Sequence, residues 1–369
     1  MSIGSTIDEL DTPRVLIDLD VLERNVERMA QFARQQGVGL RPHAKSHKTV
    51  EVALRQRAAG CAGLTVAKLD EAEAFLDAGF SDLFIANEVV GVDKFQRLAR
   101  LQHRGRVAVG VDSPQAADGM NAVAGAEGVE IPVLIEVDSG LGRAGVGPGS
   151  AALALAEHLT GLKSLRLRGL FTHAGHAYGA ASPDEVARIG RREGEVLVES
   201  AELLRTHSIS CEVVSVGSTP TALHCGAIAG VTEIRPGNYV FYDRMQIGLG
   251  VASLDDCSLS VLTRVISRPQ PDRAVLDAGS KTFALDRGAH GMDALAGYGQ
   301  DRQHGLILER LSEEHAVVGV GDQTVAVGDR LRIVPNHACT VTNLADVLLG
   351  VRADRVCEVM PVLVSGGGR

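Results

Sequence analysis

The chain has 369 residues, 45% of them hydrophobic, and a formal net charge of −9 with a pI near 5.8. That acidic balance excludes a nucleic-acid surface, which needs a basic patch, and the length suits a barrel with an accessory domain rather than one small domain. No apolar run approaches membrane-spanning length, the segment MSIGSTIDEL lacks the regions of a signal peptide, and cysteines 61, 211, 225, 257, 339 and 357 are scattered like reduced thiols, so a cytoplasmic protein is expected.

In chain order, residues 15–20 form an apolar strand of uncertain allegiance. An amphipathic helix over 22–35 follows, with Asp20 and Glu23 spaced like a capping box. Apolar runs then recur at 38–41, 64–67, 83–86, 107–111, 133–137, 167–172, 212–216 and 233–235, separated by helical patterns such as 50–59 and 70–78. Eight strands alternating with helices is the pattern of an α/β fold of the (β/α)8 TIM-barrel type. An open doubly wound sheet would want an early G-x-G-x-x-G turn, and none is present. Near residue 255 the pattern changes to strands without helices, at 259–266, 274–277, 316–320, 330–334, 346–352 and 355–362. The expected organisation is a barrel over residues 12–250 and a β-rich domain over 251–369, with residues 1–11 attached to the second domain and a disordered tail at 365–369.

In such a barrel the chemistry sits at the C-terminal ends of the strands. The runs end in HAKSH, NE, DS, DSGLGR, HAGH, GSTPT and RPGN. The octapeptide RPHAKSHK places two lysines and two histidines where a strand hands over to a loop. A lysine that is partly desolvated or flanked by cations has a lowered pKa and forms Schiff bases near neutral pH. A solvated basic loop is the plainer alternative. GSTPT and RPGN follow the last two strands, where small residues leave N–H groups and hydroxyls for a phosphate. A Schiff-base lysine, a phosphate cup and a nearby arginine together suggest pyridoxal 5'-phosphate, which delocalises a carbanion while the protein orients it. In the second domain, PNHAC follows a strand. In an extended segment His337 and Cys339 point the same way and can converge on one ion. Imidazole plus thiolate favours zinc over manganese or magnesium, and two protein ligands leave room for water and substrate. A buried cysteine beside a capping histidine is the competing reading.

The motifs TPRVLIDLDVLERN, RPHAKSHK, GLTVAK, SGLGRAGV, GLFTHAGHAY, VSVGSTPT and EIRPGNYVFYD resemble the D-threonine aldolase/D-serine dehydratase family, over about residues 11–362. The resemblance implies an alanine-racemase-like barrel (fold type III of the pyridoxal phosphate enzymes) with a C-terminal β domain. It also implies a homodimer in which each site is completed by the partner's β domain. Carried over by position, it makes Lys45 the Schiff-base residue and Lys48 a structural or phosphate-facing neighbour. His173 stacks on the cofactor ring, Arg143 or Arg235 faces the ring nitrogen, and Gly217, Ser218, Thr219, Gly237 and Asn238 cup the phosphate. Tyr178 matches an active-site tyrosine of the dehydratases, and His337 with Cys339 matches their metal pair. The aldolases carry H-x-D there, although the following TVTNLAD is similar to their continuation. The implied activity is a cofactor- and metal-dependent lyase of a small β-hydroxy-D-amino acid (D-serine, D-threonine or 3-hydroxy-D-aspartate). The favoured form is a dehydratase giving a 2-oxo acid and ammonia, with Lys45 removing the α-proton. The alternative is an aldolase giving glycine and an aldehyde, with His47, His176 or a water on the ion as base. His315, in the EEH at 313–315, is either a substrate contact or part of a solvated turn. A racemase would need a second base on the opposite face, and a cofactor carrier would be a single barrel. Neither partner nucleic acid nor membrane is expected.

Overall fold

The computed structural model describes residues 3–289 and 295–366. Strand β1 (Arg14–Asp18) runs directly into helix α1 (Leu19–Gln36). The Asp18 carboxylate caps this helix by accepting the N–H groups of Asp20 and Val21, and Gly37 ends it in the left-handed region at φ 68°. The cap is therefore Asp18 rather than the expected Asp20, because Leu19 already turns inward and is buried in the first turn.

Eight parallel strands follow: β2 (Gly39–Leu40), β3 (Leu64–Val66), β4 (Asp82–Glu88), β5 (Arg106–Val111), β6 (Ile131–Glu136), β7 (Leu165–Phe171), β8 (Val213–Val216) and β9 (Glu233–Ile234). They run in the order β2-β9-β8-β7-β6-β5-β4-β3. A parallel bridge between His43 and Thr65, with the Thr65 N–H donating to the Pro42 carbonyl, closes the ring. All eight coincide with the apolar runs of the sequence. Helices α2 (Val50–Ala58), α3 (Leu69–Asp77), α4 (Val92–Leu101), α5 (Pro114–Glu127), α6 (Ser150–Thr160) and α7 (Pro183–Thr206) cover the outside, burying residues such as Phe75, Leu98, Met120 and Leu197 against the strands. Inside the barrel Phe84 and Phe171 meet edge to face with ring centres 5.0 Å apart, beside Leu134. Gly110 makes room for this pair, since a Cβ there would stand 2.8 Å from the Phe171 ring.

After the short helices α8 (Ala222–Cys225) and α9 (Arg244–Gly248) the chain enters the β domain. Its elements are β10 (Leu259–Gln270), β11 (Arg273–Leu276), α10 (Ser280–Phe283), β12 (Gly299–Asp301), β13 (Leu308–Leu311), β14 (Ala316–Gly319), β15 (Arg330–Pro335), α11 (Ala338–Leu344), β16 (Val347–Arg352) and β17 (Arg355–Pro361). The six expected strands are present; β12 and β13 are too short to show a period in the sequence. Strand β1 belongs here too. It lies between β10, antiparallel, and β16, parallel, with Leu16 opposite both Ser260 and Leu349. The barrel therefore starts at α1 and not at residue 12. The cause is the consecutive Val15-Leu16-Ile17, buried on both faces as a central strand requires. Residues 3–11 attach to the same domain, for example by the bridge between Thr6 and Arg355.

No helix among the described residues is long and apolar enough to cross a membrane, and all six cysteines are unpaired. Of the tail, residues 367–369 lie outside the described residues. Gly366 donates its N–H to the Asn343 carbonyl and Leu363 to that of Lys48, so the segment before them is tied down rather than disordered.

Candidate active site

The C-terminal ends of the barrel strands and helix α11 of the β domain enclose a cavity of about 660 Å³. Lys45, Arg143, His173, Tyr178, Gly217, Ser218, Thr219, Arg235, Gly237, Asn238, His337 and Cys339 all line it. Of the site residues expected from sequence, His47, His176 and His315 do not.

Lys45 sits on one 3-10 turn (Ala44–Ser46) that follows β2. Its side chain is open to the cavity while protein surrounds that cavity, so the desolvation it feels is partial. Burial lowers its pKa first, Arg143 and Arg235 lower it further, and Cys339 and Glu71 oppose them. The net direction is down, as a nucleophilic amine needs.

Lys48 is different. Its ammonium is held by Asn343 Oδ1 at 2.7 Å, the Val364 carbonyl at 3.1 Å and Glu71 at 3.4 Å. It fastens the barrel loop to the β domain and has no donor left for a phosphate. His47 is a correction to the sequence reading. It is fully buried, its Nδ1 accepts the Thr49 N–H at 3.1 Å, and it packs near Phe75. Burial drives its pKa down to about 4. It is a packed neutral ring because His47 follows the turn, and two steps of about 120° each carry its side chain away from the face that Lys45 occupies. His176 and His315 do not line the cavity either; His315 lies on an exposed turn.

Two layers build the expected phosphate cup. Glu193 of α7, fully buried, accepts the N–H groups of Gly217 (2.9 Å) and Ala174 (3.2 Å) and the Thr221 hydroxyl (2.7 Å). Burial raises its pKa and those donors pull against the rise. The Gly217 N–H is thus turned to the scaffold, as is that of Ser218, which donates to Thr221 Oγ1. The N–H groups of Thr219 and Gly237 have no protein acceptor among the described residues and remain for an anion. Gly237 is needed as glycine: a Cβ would come within 2.7 Å of Ser46 Oγ and 2.9 Å of the His43 carbonyl. Glu193 carries no motif of its own, so sequence reasoning missed it. Glu193→Ala would strand three donors, and unfolding experiments should show a loss of about 2–4 kcal/mol.

Arg235 forms the floor. It is 4% exposed, donates to Ser215 Oγ (2.6 Å) and to the Thr172 carbonyl (2.5 Å), and lies over Phe171 and Phe84. Arg143, on the loop after β6, is 47% exposed at the rim, 3.5 Å from Glu136. Tyr178 is held by the Gln246 amide at 3.3 Å, and burial keeps its phenol protonated.

The β domain supplies the remaining wall. His337 caps α11 and Cys339 lies in the first turn of that helix, so they converge through a helix start and not through the extended segment expected. Buried Asp243 sets this helix start by accepting the Ala338 N–H (2.9 Å) and the Asn238 amide (2.7 Å). Asp286 binds His337 Nδ1 at 2.7 Å, which fixes the orientation of the ring at the start of α11, two residues before Cys339. Burial opposes charge on His337, but Asp286 and Cys339 outweigh it and raise the ring to about 10. Burial likewise pushes the Cys339 thiol up, and His337 overrides it and holds the thiol below its ordinary value. The sulfur lies 3.3 Å from Ser46 Oγ, beside Lys45. Among the described residues no group of three or more His, Cys, Asp or Glu side chains is placed to hold a metal, so the site offers a pair.

Similarity to known proteins covers both parts. Residues 17–245 match the model of the alanine racemase N-terminal domain, and residues 258–351 match the putative serine dehydratase domain. The D-threo-3-hydroxyaspartate dehydratase of Delftia sp. (strain HT23) is 41% identical over 352 residues, covering 90% of this chain and 92% of that protein. The D-threonine aldolase of Arthrobacter sp. is 35% identical over 373 residues, covering 99% and 96%. Among solved structures, a D-threo-3-hydroxyaspartate dehydratase variant with a histidine replaced by alanine superposes with TM-score 0.91 at 36% identity, over 99% of this chain and 97% of that one. A second variant, with a cysteine two positions further on replaced by alanine and in the metal-free form, gives TM-score 0.90 at 36% identity over 98% and 100%. An alanine-racemase-type barrel fused to a serine dehydratase domain, matched end to end by these relatives, makes this chain a member of the D-threonine aldolase/D-serine dehydratase family.

Proposed function

We propose that the protein is a pyridoxal phosphate- and metal-dependent dehydratase of a β-hydroxy-D-amino acid, releasing a 2-oxo acid and ammonia. One observation carries the reading: Lys45 and the His337–Cys339 pair open into one cavity, with Ser46 between them. The cofactor fits the residues present. Thr219 and Gly237 offer unclaimed N–H groups, Gly237 leaves space that a Cβ would fill, and Lys45 has a lowered pKa. Lys45 would hold the cofactor, His173 would stack on it, and Arg235 would face the ring nitrogen from the floor. When bound, the cofactor delocalises the electron pair left on Cα. His337 and Cys339 would hold a divalent cation, and their imidazole–thiolate chemistry supports zinc. Such a cation supplies Lewis-acid polarisation of the substrate β-hydroxyl. The related variant lacking a cysteine, described as metal-free, supports the same assignment.

Lys45 takes the α-proton, a task suited to an amine held below its usual pKa. Tyr178 stays protonated and donates toward the cavity. Asp286 orients His337, and Asp243 orients the helix start that carries both ligands. Retro-aldol cleavage is the second reading, favoured by the Arthrobacter relative. It needs a base at the β-hydroxyl. His47 is buried behind the cavity wall and His176 does not line it, which leaves a water on the ion as that base.

The homodimer and the cytoplasmic location belong to the same proposal, the latter supported by six unpaired cysteines. Sedimentation of the purified protein tests the former. Product analysis tests the reaction: metal-stripped protein resupplied with pyridoxal phosphate and zinc or manganese is given D-threonine and D-threo-3-hydroxyaspartate. We expect a 2-oxo acid with stoichiometric ammonia, fastest with zinc. Glycine with an aldehyde would replace elimination by the aldol reading.

A further inference from the structure

The inside of a parallel barrel is ordinarily filled by branched apolar side chains. Here a column of charged and hydroxyl groups runs beside them. Asp82, at the start of β4, accepts Arg106 at Oδ2 (2.8 Å) and Arg41 Nη1 at Oδ1 (2.7 Å). Arg41 also donates its Nε–H to Glu233 Oε2 at 2.7 Å, and the other oxygen of that buried carboxylate accepts the Ser215 hydroxyl at 2.6 Å. Ser215 and Glu233 are direct partners in the register of β8 with β9, which sets their side chains next to one another on one face. Arg235 lies two residues beyond Glu233, so its side chain shares that face. It donates to Ser215 Oγ at 2.6 Å and ends the column at the cavity floor. Glycine at position 63 keeps the column's path open, since a Cβ there would run into the Arg41 guanidinium and come within 2.6 Å of the Asp82 carbonyl.

We infer that Ser215 and Glu233 are positioning residues that hold the Arg235 guanidinium in place for the ring nitrogen of the cofactor. This rests on the proposed function for the identity of the cofactor. Neither Ser215 nor Glu233 lines the cavity, so both act through Arg235. The direction of the chain is fixed by its donors. A guanidinium cannot accept, and the one hydroxyl hydrogen of Ser215 goes to Glu233, which leaves the Ser215 oxygen as an acceptor for Arg235. Glu233 thereby strengthens the acceptor that Arg235 uses. The Thr172 carbonyl (2.5 Å) holds the other terminal nitrogen, and the Phe171 ring, 5.2 Å away, sets the plane of the group. Burial pulls the Arg235 pKa down, and Glu233 opposes that more than Glu193 or Glu136 does. Without the Ser215 hydroxyl the guanidinium loses one of its two scaffold acceptors and is free to tilt away from the ring.

The probe is pyridoxal phosphate carrying the heavy nitrogen isotope in its ring, bound to the holoenzyme and observed by solid-state NMR. Its ring-nitrogen resonance reports the donor beside that atom and is blind to the stability of the fold. The wild type should show an unprotonated ring nitrogen that accepts a hydrogen bond, because the guanidinium disfavours a second positive charge next to it. In Ser215→Ala the resonance should leave that position, and equilibrium dialysis should show the cofactor bound about tenfold more weakly, the scale of one charge-assisted hydrogen bond. Glu233→Gln should displace the resonance in the same direction by less, since the amide oxygen can still accept the Ser215 hydroxyl. Asp82→Asn is the control for a purely structural role. It should lower the melting temperature and leave the resonance at its wild-type position, because Glu233 keeps both of its donors. An unmoved resonance in Ser215→Ala and Glu233→Gln, or an equal displacement in Asp82→Asn, overturns the inference and leaves the proposed function standing. A ring nitrogen already protonated in the wild type does the same. A wild type that binds no cofactor overturns both. Either of the first two variants suffices should the other not fold.

Discussion

Lys45→Ala should lower turnover by a factor on the order of 10⁴, because one amine both anchors the cofactor and moves the substrate's α-proton. The loss cannot be shared with Lys48, whose ammonium is fixed by Asn343, Val364 and Glu71. Borohydride reduction of the wild type with bound cofactor should give a covalent adduct on the peptide containing Lys45, and the variant should give none. Lys48→Ala should still be trapped, with its damage appearing as lowered thermal stability where the loop meets the β domain. A trapped adduct on Lys48 would remove the assignment.

The metal pair carries the second large effect. His337→Ala or Cys339→Ala should each abolish stoichiometric metal in the purified protein and reduce dehydration at least 100-fold, the scale on which Lewis-acid assistance of a poor leaving group acts. Each variant should still bind cofactor at Lys45, since the cofactor's cradle lies on the barrel and not on α11. Asp286→Asn is the finer test. It keeps both ligands and removes only the carboxylate that orients His337 (2.7 Å). Metal affinity should fall about 10- to 100-fold, with activity returning as metal is added. Full metal content in Cys339→Ala would show that this thiol is not a ligand.

The barrel was legible because its strands are apolar runs between polar loop motifs, and each run became a strand. What the sequence could not show was partnership. Val15-Leu16-Ile17 announces a buried strand, yet nothing local says that its neighbours are Ser260 and Leu349, far along the chain. His337 and Cys339 were found by an argument from extended geometry, and they converge by another route, because Asp243 starts a helix at Ala338. His47 shares the basic octapeptide with Lys45 but faces away, a difference of direction within one turn that composition does not encode. Glu193 had no motif at all. Buried carboxylates acquire their meaning from the donors around them, and those come from separate strands and helices.

The place of β1 in the sheet has a consequence for how the chain reaches this state. A strand near the beginning waits for β10 on one side and for β16, almost at the end, on the other. Pairings of such sequence separation close the largest loops in the molecule and are slow to form. During synthesis the barrel can collapse first, but the sheet that holds His337 and Cys339 gains its central strand only when nearly the whole polypeptide is available. The wall that carries His337 and Cys339 and the barrel wall that carries Lys45 are thus parts of one folding unit, and cutting the chain between them would leave β1 with two unpaired edges instead of two working halves.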